Sequence, residues 1–274
     1  MDKFINKIAK KIYDTKLHQL EELNIVLPSK RAGTFFKQAL SDLSDIPLWM
    51  PKIYSIEEWL EELSGFTIID KTPLLFEMYI SYQNVFPKDE QDSFEAFLKW
   101  APMLLTDFND IDSYFEQPQK LFNYIHQAKK IEAWTPLGGE PSEMVKNYLR
   151  FWELMGLLFT DFKARLKKQN IAFQGMAYRK ASDHVSKWIT KKNPLKSSVY
   201  YLGFNAMNPC EAHIMRTLIA EDVAEVFWDA DEYYLKDKKQ EAGKYLRQYQ
   251  QWPEFENREF NWVFSKLKKP KNIS

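Results

Sequence analysis

Residues 24–40, NIVLPSKRAGTFFKQAL, set Ser29, Lys30 and Arg31 between a short apolar run and a stretch of helical spacing. These residue types, between a strand and a helix, suit the chemistry of anion capture. A hydroxyl, an ammonium and a guanidinium gather where a helix N-terminus presents unpaired N–H groups. Two readings follow from the spacing: a contact to the phosphate backbone of a nucleic acid, or a solvated loop with two surface charges. A nucleotide phosphate loop is a different matter. It needs G-x-x-x-x-G-K-[ST], so that backbone amides wrap the phosphates and the hydroxyl holds magnesium. The segment SKRAGT has one glycine, Gly33, followed by Phe35 and Phe36 rather than a Lys-Ser or Lys-Thr pair. The Gly-Lys pair at Gly243-Lys244 has Lys238 where the first glycine belongs. No phosphate loop is present.

Other constellations are open to competing readings. TDFNDID brings Asp107, Asp110 and Asp112 close together, a carboxylate set for a hard divalent cation or else a helix end and acidic surface. The acidic stretch Asp229–Glu232 ends an apolar run. His18, His126, His184 and His213 show no i, i+4 pairing, so no zinc site is expected. Cys210 follows Asn208-Pro209 at a helix start, which can lower a thiol pKa, but the sequence suggests no base beside it and the thiol reads as buried. Arg179 reads as the partner of an acid rather than of phosphate. The tryptophans at 100, 134, 188, 228, 252 and 262 are scattered and read as packing, with base stacking as the rival. Lysines 266, 268, 269 and 271 form a small basic run in a solvated tail. The Asp-x-Lys triplets at Asp14-Lys16 and Asp237-Lys239 are not placed as a nuclease requires.

The elements that must position these groups are legible from periodicity. Residues 2–20 carry Ile5, Ile8, Ala9 and Ile12 on one helical face. NIVLP and PKIYSI read as buried parallel strands, and residues 32–43 as the helix after the first. Ser55 with Glu58 is a capping box that opens a helix over 56–64. From about 70 to 190 no convincing strand is seen. Helices are expected at 72–86, from Ser93 with a break or kink at Pro102, at 118–131, at 142–168 and at 175–190. WTPLGGEP at 134–141 is the strongest loop signal. Strand character returns at SVYYLGF, a helix follows from Pro209 to Glu221, and AEVFWDAD is a further strand. The expected architecture is an α/β domain with a small parallel sheet, residues 1–70 and 193–274, interrupted by a helical insertion at 71–192.

Composition narrows the class. Lysine plus arginine equal aspartate plus glutamate at 38 each, so no global charge draws the chain to nucleic acid or an anionic membrane; any polyanion contact must be local. One cysteine excludes an internal disulfide, and a reducing cytoplasm is the expected home. No run of 18 apolar residues exists, and the first residues lack a signal-peptide core. The 20 Phe and 9 Trp are too many to display on a soluble surface and must largely build core.

IVLPSKRAGTFFKQAL, PKIYSIEEWLEELSG, LLFEMYISYQ, SFEAFLKWAPMLLTDFNDID, FQGMAYR and VYYLGFNAMNPCEAHIMRTL…VFWDADEYYL occur in that order. Together they resemble the N-terminal part of AddB-type proteins of the PD-(D/E)XK nuclease family, subunits of a helicase–nuclease that processes DNA double-strand breaks. The resemblance covers nearly the whole chain. It implies a degenerate P-loop-NTPase scaffold of the superfamily 1 helicase type. Pro28 to Gly33 would stand where such a motor grips single-stranded DNA. VYYLGF would stand where a working motor ends its magnesium-holding strand in Asp-Glu, whereas this chain has Gly203-Phe204. DADEYY would stand where a motor keeps a γ-phosphate-sensing Gln, which Asp231 and Glu232 do not replace. In that family the nuclease domain lies far beyond the N-terminal region, so the resemblance implies either a fragment of a longer protein or a truncated reading frame.

The leading expectation is a non-enzymatic scaffold in DNA repair and recombination. It would need no cofactor, would touch single-stranded DNA through Ser29, Lys30 and Arg31, and would hold an AddA-like helicase subunit. The alternatives are a divergent magnesium-dependent nucleotidase or nuclease built on the Asp107 cluster or on Asp229–Glu232, and a pure protein-interaction module.

Overall fold

The computed structural model describes residues 4–118, 120–125, 143–256 and 258–264, with the side chains of 143–149 and 262–264 left aside. In chain order the main elements are α1 (Phe4–Lys16), β1 (Asn24–Leu27), α2 (Lys30–Ser41), β2 (Lys52–Ser55), α3 (Ile56–Ser64), β3 (Thr67–Ile68), α4 (Lys71–Val85), α5 (Phe94–Phe97) and α6 (Ala101–Ser113). There follow α7 (Glu143–Lys168), β4 (Ile171–Ala172), α8 (Gln174–Lys192), β5 (Val199–Leu202), α9 (Pro209–Ala220), β6 (Ala224–Ala230), α10 (Glu232–Lys236), α11 (Lys244–Tyr249) and β7 (Trp262–Phe264). Contacts divide the chain into one unit of Met1–Leu63 with Asp183–Ser274 and a second of Ser64–Ser182. Among the described residues no helix is long and apolar enough to cross a membrane.

The first unit is α/β. Its sheet has the order β2-β1-β5-β6-β7, and every neighbouring pair is parallel. β1 sits between β2 and β5, with Asn24 opposite both Lys52 and Val199. The interior strands are apolar without alternation because helices cover both faces: all four residues of β5 are buried. On one face Ile8 and Ile12 of α1 and Phe36 and Leu40 of α2 pack over Ile25, Leu27, Tyr200, Leu202 and Phe227. On the other, Trp59 of α3 donates its indole N–H to the Tyr201 hydroxyl at 2.8 Å and meets Trp188 edge-on.

Caps set where the helices begin. Ser29 is the N-cap of α2, and its hydroxyl accepts from the Ala32 amide at 3.3 Å. Ser55 and Glu58 form the expected capping box of α3: the Glu58 carboxylate accepts from the Ser55 amide at 2.9 Å, and the Ser55 hydroxyl accepts from the Glu58 amide at 3.3 Å. Asn208 and Glu211 repeat the device at α9, with Pro209 in the first turn. Gly33 has a packing role. A Cβ there would stand 3.1 Å from the Ile53 side chain, so glycine lets α2 approach β2 closely.

The second unit is helical. Phe97, Phe108, Phe122, Phe159, Phe162 and Phe173 share one core with Met78, Tyr82 and Met155. Phe108 and Phe159 meet edge-on at 4.8 Å, an arrangement that places ring edge against ring face. This is where much of the aromatic content goes. The break expected at Pro102 is a division. α5 is capped by the Ser93 hydroxyl, and α6 restarts at Ala101 with the proline in its first turn.

The structure corrects the strand reading in two places. The stretch from 70 to 190 does hold a strand, β4, which pairs parallel with β3 through Thr67↔Ile171 and Ile68↔Ala172. Two residues carry no periodicity to read. β7 lies in the polar, aromatic tail, where no strand is expected, and its Trp262 stands opposite Trp228. The loop expected at 134–141, the end of the helix expected at 118–131, His126, Trp134 and the terminal lysines lie outside the described residues.

Candidate nucleic-acid interface

In a parallel sheet every strand ends on the same edge. The N-termini of α2, α3, α9 and α10 therefore gather at one carboxyl edge. The chain leaves β1 for β2 on one side and later takes β5 on the other. The gap between β1 and β5 is thus a topological switch point, where open α/β sheets bind ligands. A crevice of about 470 Å³ opens there, lined by Leu27, Pro28, Leu202 and Gly203 with Phe4 and Phe35. Asp229 stands on its rim, where partial burial holds its carboxyl above the ordinary aspartate range against the pull of Lys7. Gly203 adopts φ +70°, so β5 leaves the sheet through a left-handed turn that suits glycine, and an added Cβ there would stand 3.2 Å from the Phe4 ring.

Ser29, Lys30 and Arg31 all lie on this edge, but they do different things. Ser29 spends its hydroxyl on the α2 cap. The Lys30 ammonium is 3.1 Å from the Glu58 carboxylate. Its pKa is raised, first by the hydrogen bond to Glu58 and then by that residue's charge, with Glu57 and Glu61 adding to it. Arg31 extends along α2 with its guanidinium over the Phe35 ring at 5.7 Å, and Phe35 is 53% exposed. A cation over an exposed aromatic face offers a phosphate and a base their two natural contacts side by side. The sequence could not show Glu58 as the partner of Lys30, because 28 residues separate them and they meet through the β1–β2 pairing and the packing of α2 on β2.

Glu58 is the hinge of this arrangement. Hydrogen bonding from the Ser55 amide is the main reason its carboxyl lies below the ordinary glutamate range, with Lys30 and the Ser55 hydroxyl helping against partial burial. A depressed carboxyl stabilises the fold at pH values above its unfolded pKa and loses that contribution as pH falls through its folded value. The Glu58 side chain is 39% exposed, so the contribution is held to about 1 kcal/mol or less. Urea denaturation of Glu58→Gln at pH 7 is expected to show a small loss that vanishes near pH 3. A loss of equal size at both pH values would count against an ionic role.

The other acidic groups have structural occupations. Asp112 is completely buried, with its carboxylate 2.7 Å from the Lys163 ammonium and 3.5 Å from the Arg179 guanidinium. Burial pushes the Asp112 carboxyl upward, and Lys163 and Arg179 oppose it. Arg179 thus pairs with an acid and also donates to the Glu116 carbonyl at 2.7 Å. Asp107 and Asp110 lie on the exposed side of α6, turned away from Asp112. Asp231 caps α10 by accepting from the Tyr233 amide, and Glu232 pairs with Lys236. Asp14 pairs with Lys10, and Asp237 accepts from the Lys239 amide. Cys210 is buried in the first turn of α9. Among the described residues no group of three or more His, Cys, Asp or Glu is arranged to hold a metal ion. Trp228 stacks between Tyr249 and Phe260, Trp100 packs on Phe97, and Arg216 lies over Trp252.

No protein-family model and no curated protein matches the chain.

Proposed function

We propose that this chain is a non-catalytic, motor-like scaffold from an AddB-type subunit of a helicase–nuclease that processes double-strand breaks. In this reading it guides single-stranded DNA along the carboxyl edge of the sheet and holds an AddA-like helicase subunit. The observation that carries the DNA contact is Arg31, exposed at the N-terminus of α2 with its guanidinium over the open Phe35 ring. The ordered sequence blocks, the parallel sheet and the crevice at its switch point support the finer reading of the fold as a degenerate superfamily 1 motor. Gly203, where a motor would carry its magnesium-holding acid, fits a scaffold.

Glu58 changes the expected balance within the loop. Lys30 shares its charge with Glu58, so Arg31 supplies the larger part of the phosphate contact. Fluorescence anisotropy with labelled oligothymidylate at low salt is expected to show weak, salt-dependent binding. Arg31→Ala should weaken it about tenfold and reduce the salt slope by about 0.7. Lys30→Ala should do less, and Glu58→Gln, by releasing Lys30, should strengthen binding. Indifference to both Arg31→Ala and Lys30→Ala would remove the DNA role from this loop.

A further inference from the structure

A second surface flanks the same helix. Lys30, Thr34 and Lys37 are spaced by four and three residues and so share one face of α2. All three line a groove of about 500 Å³ whose opposite wall is the β2 segment, Met50, Pro51, Ile53 and Tyr54. The close approach permitted by Gly33 sets the floor of this groove. From Lys30 to Lys37 the helix rises about 10 Å, the reach of a short run of backbone phosphates. Lys37 is exposed and has no ion-pair partner among the described residues, unlike Lys30. Immediately before Met50, Trp49 is 81% exposed, the most open of the large apolar side chains among the described residues. Glu58 is the one carboxylate in the lining, and it stands at the Lys30 end.

We propose that this groove extends the single-strand path away from the sheet edge, with Lys37 on the phosphates and Trp49 stacking a base at the far end; Thr34 lines the path but donates its hydroxyl to the Lys30 carbonyl at 3.3 Å. The inference rests on the reading of Arg31 as a DNA contact. It adds a second, separable binding segment. A groove that tracks a backbone with donors and ends on an open aromatic ring has the makeup of a sequence-tolerant single-strand site. An acidic peptide would satisfy the lysines but leave Trp49 without a role.

Length dependence tests it. Oligothymidylates of about 4 and about 16 nucleotides bracket the segment, since single-strand sites run from ~4 to ~16 nucleotides. The wild-type chain is expected to bind the longer strand about tenfold more tightly than the shorter. Lys37→Ala combined with Trp49→Ala should abolish that gain and leave the short-strand affinity as it was. Arg31→Ala should weaken both lengths. Both replaced side chains are exposed, and circular dichroism of the variant checks that it is folded. A length gain that survives the double change, or no gain in the wild type, overturns the groove while leaving the Arg31 contact standing. Binding of neither length overturns both. A poly-glutamate peptide that displaces the long strand as well as an oligonucleotide of equal charge also overturns it, because the groove would then read charge alone.

Discussion

Asp112→Ala is expected to lower the stability of the helical unit by about 3–5 kcal/mol, the cost of leaving buried charge without its counterion. Asp112 is fully enclosed, and its carboxylate is the meeting point of Lys163 from α7 and Arg179 from α8. Removing it strands an ammonium and a guanidinium that are both largely buried. Arg179 keeps the Glu116 carbonyl, so Lys163 bears most of the loss. The pairing itself need not be favourable, because desolvating three charges offsets much of their attraction. That distinction gives the test its sharper arm. Asp112→Leu together with Lys163→Met should recover a large part of what Asp112→Ala loses, since an apolar pair suits the surrounding aromatic core. Urea denaturation followed by helix ellipticity reads both variants. A loss under about 1 kcal/mol for Asp112→Ala would mean that water reaches Lys163 and that the cluster belongs to the surface.

Asp112 also shows where sequence reading stops. Its spacing with Asp107 and Asp110 offers a carboxylate trio. On the helix, however, residues 107 and 110 share an open face while residue 112 turns inward, and its partners lie about fifty residues further along or more. Local signals fared better. The Ser55–Glu58 box is written within four residues and appears as hydrogen bonds, whereas Ser29, which reads only as an anion contact, caps α2. VYYL, apolar at every position, is a strand buried on both faces. Signals that need a partner elsewhere were out of reach: β3 and β4 are two residues each and exist only because they pair, and β7 depends on the edge that β6 presents. The candidate site divides in the same way. Ser29, Lys30 and Arg31 stand on the carboxyl edge where strand–loop–helix logic puts them. Lys30's neutraliser and the exposed ring under Arg31 are tertiary facts.

Trp59→Ala is expected to cost the α/β unit about 3–5 kcal/mol, the usual loss when a buried tryptophan is truncated. The indole is 1% exposed and packs on Tyr54 and Trp188, so little nearby is free to fill the void. Its N–H is the donor to the Tyr201 hydroxyl, whose burial pushes the phenol far above its ordinary pKa and makes an unmet partner expensive. Trp59→Phe separates the two contributions. It keeps a ring in the pocket and removes the donor, and it should lose about 1–3 kcal/mol. The consequence for the site comes through Glu58, the residue before Trp59. α3 holds that carboxylate against both Ser55 and Lys30 only while its buried face is anchored. Hydrogen exchange at the Ser55 and Glu58 amides should therefore quicken in Trp59→Ala before exchange in β1 and β5 does. Lys30, released from Glu58, should then bind oligothymidylate more tightly, as in Glu58→Gln. Faster exchange without tighter binding would show that Glu58 does not hold Lys30 away from phosphate, and that the weight placed on Arg31 must come from elsewhere in the edge.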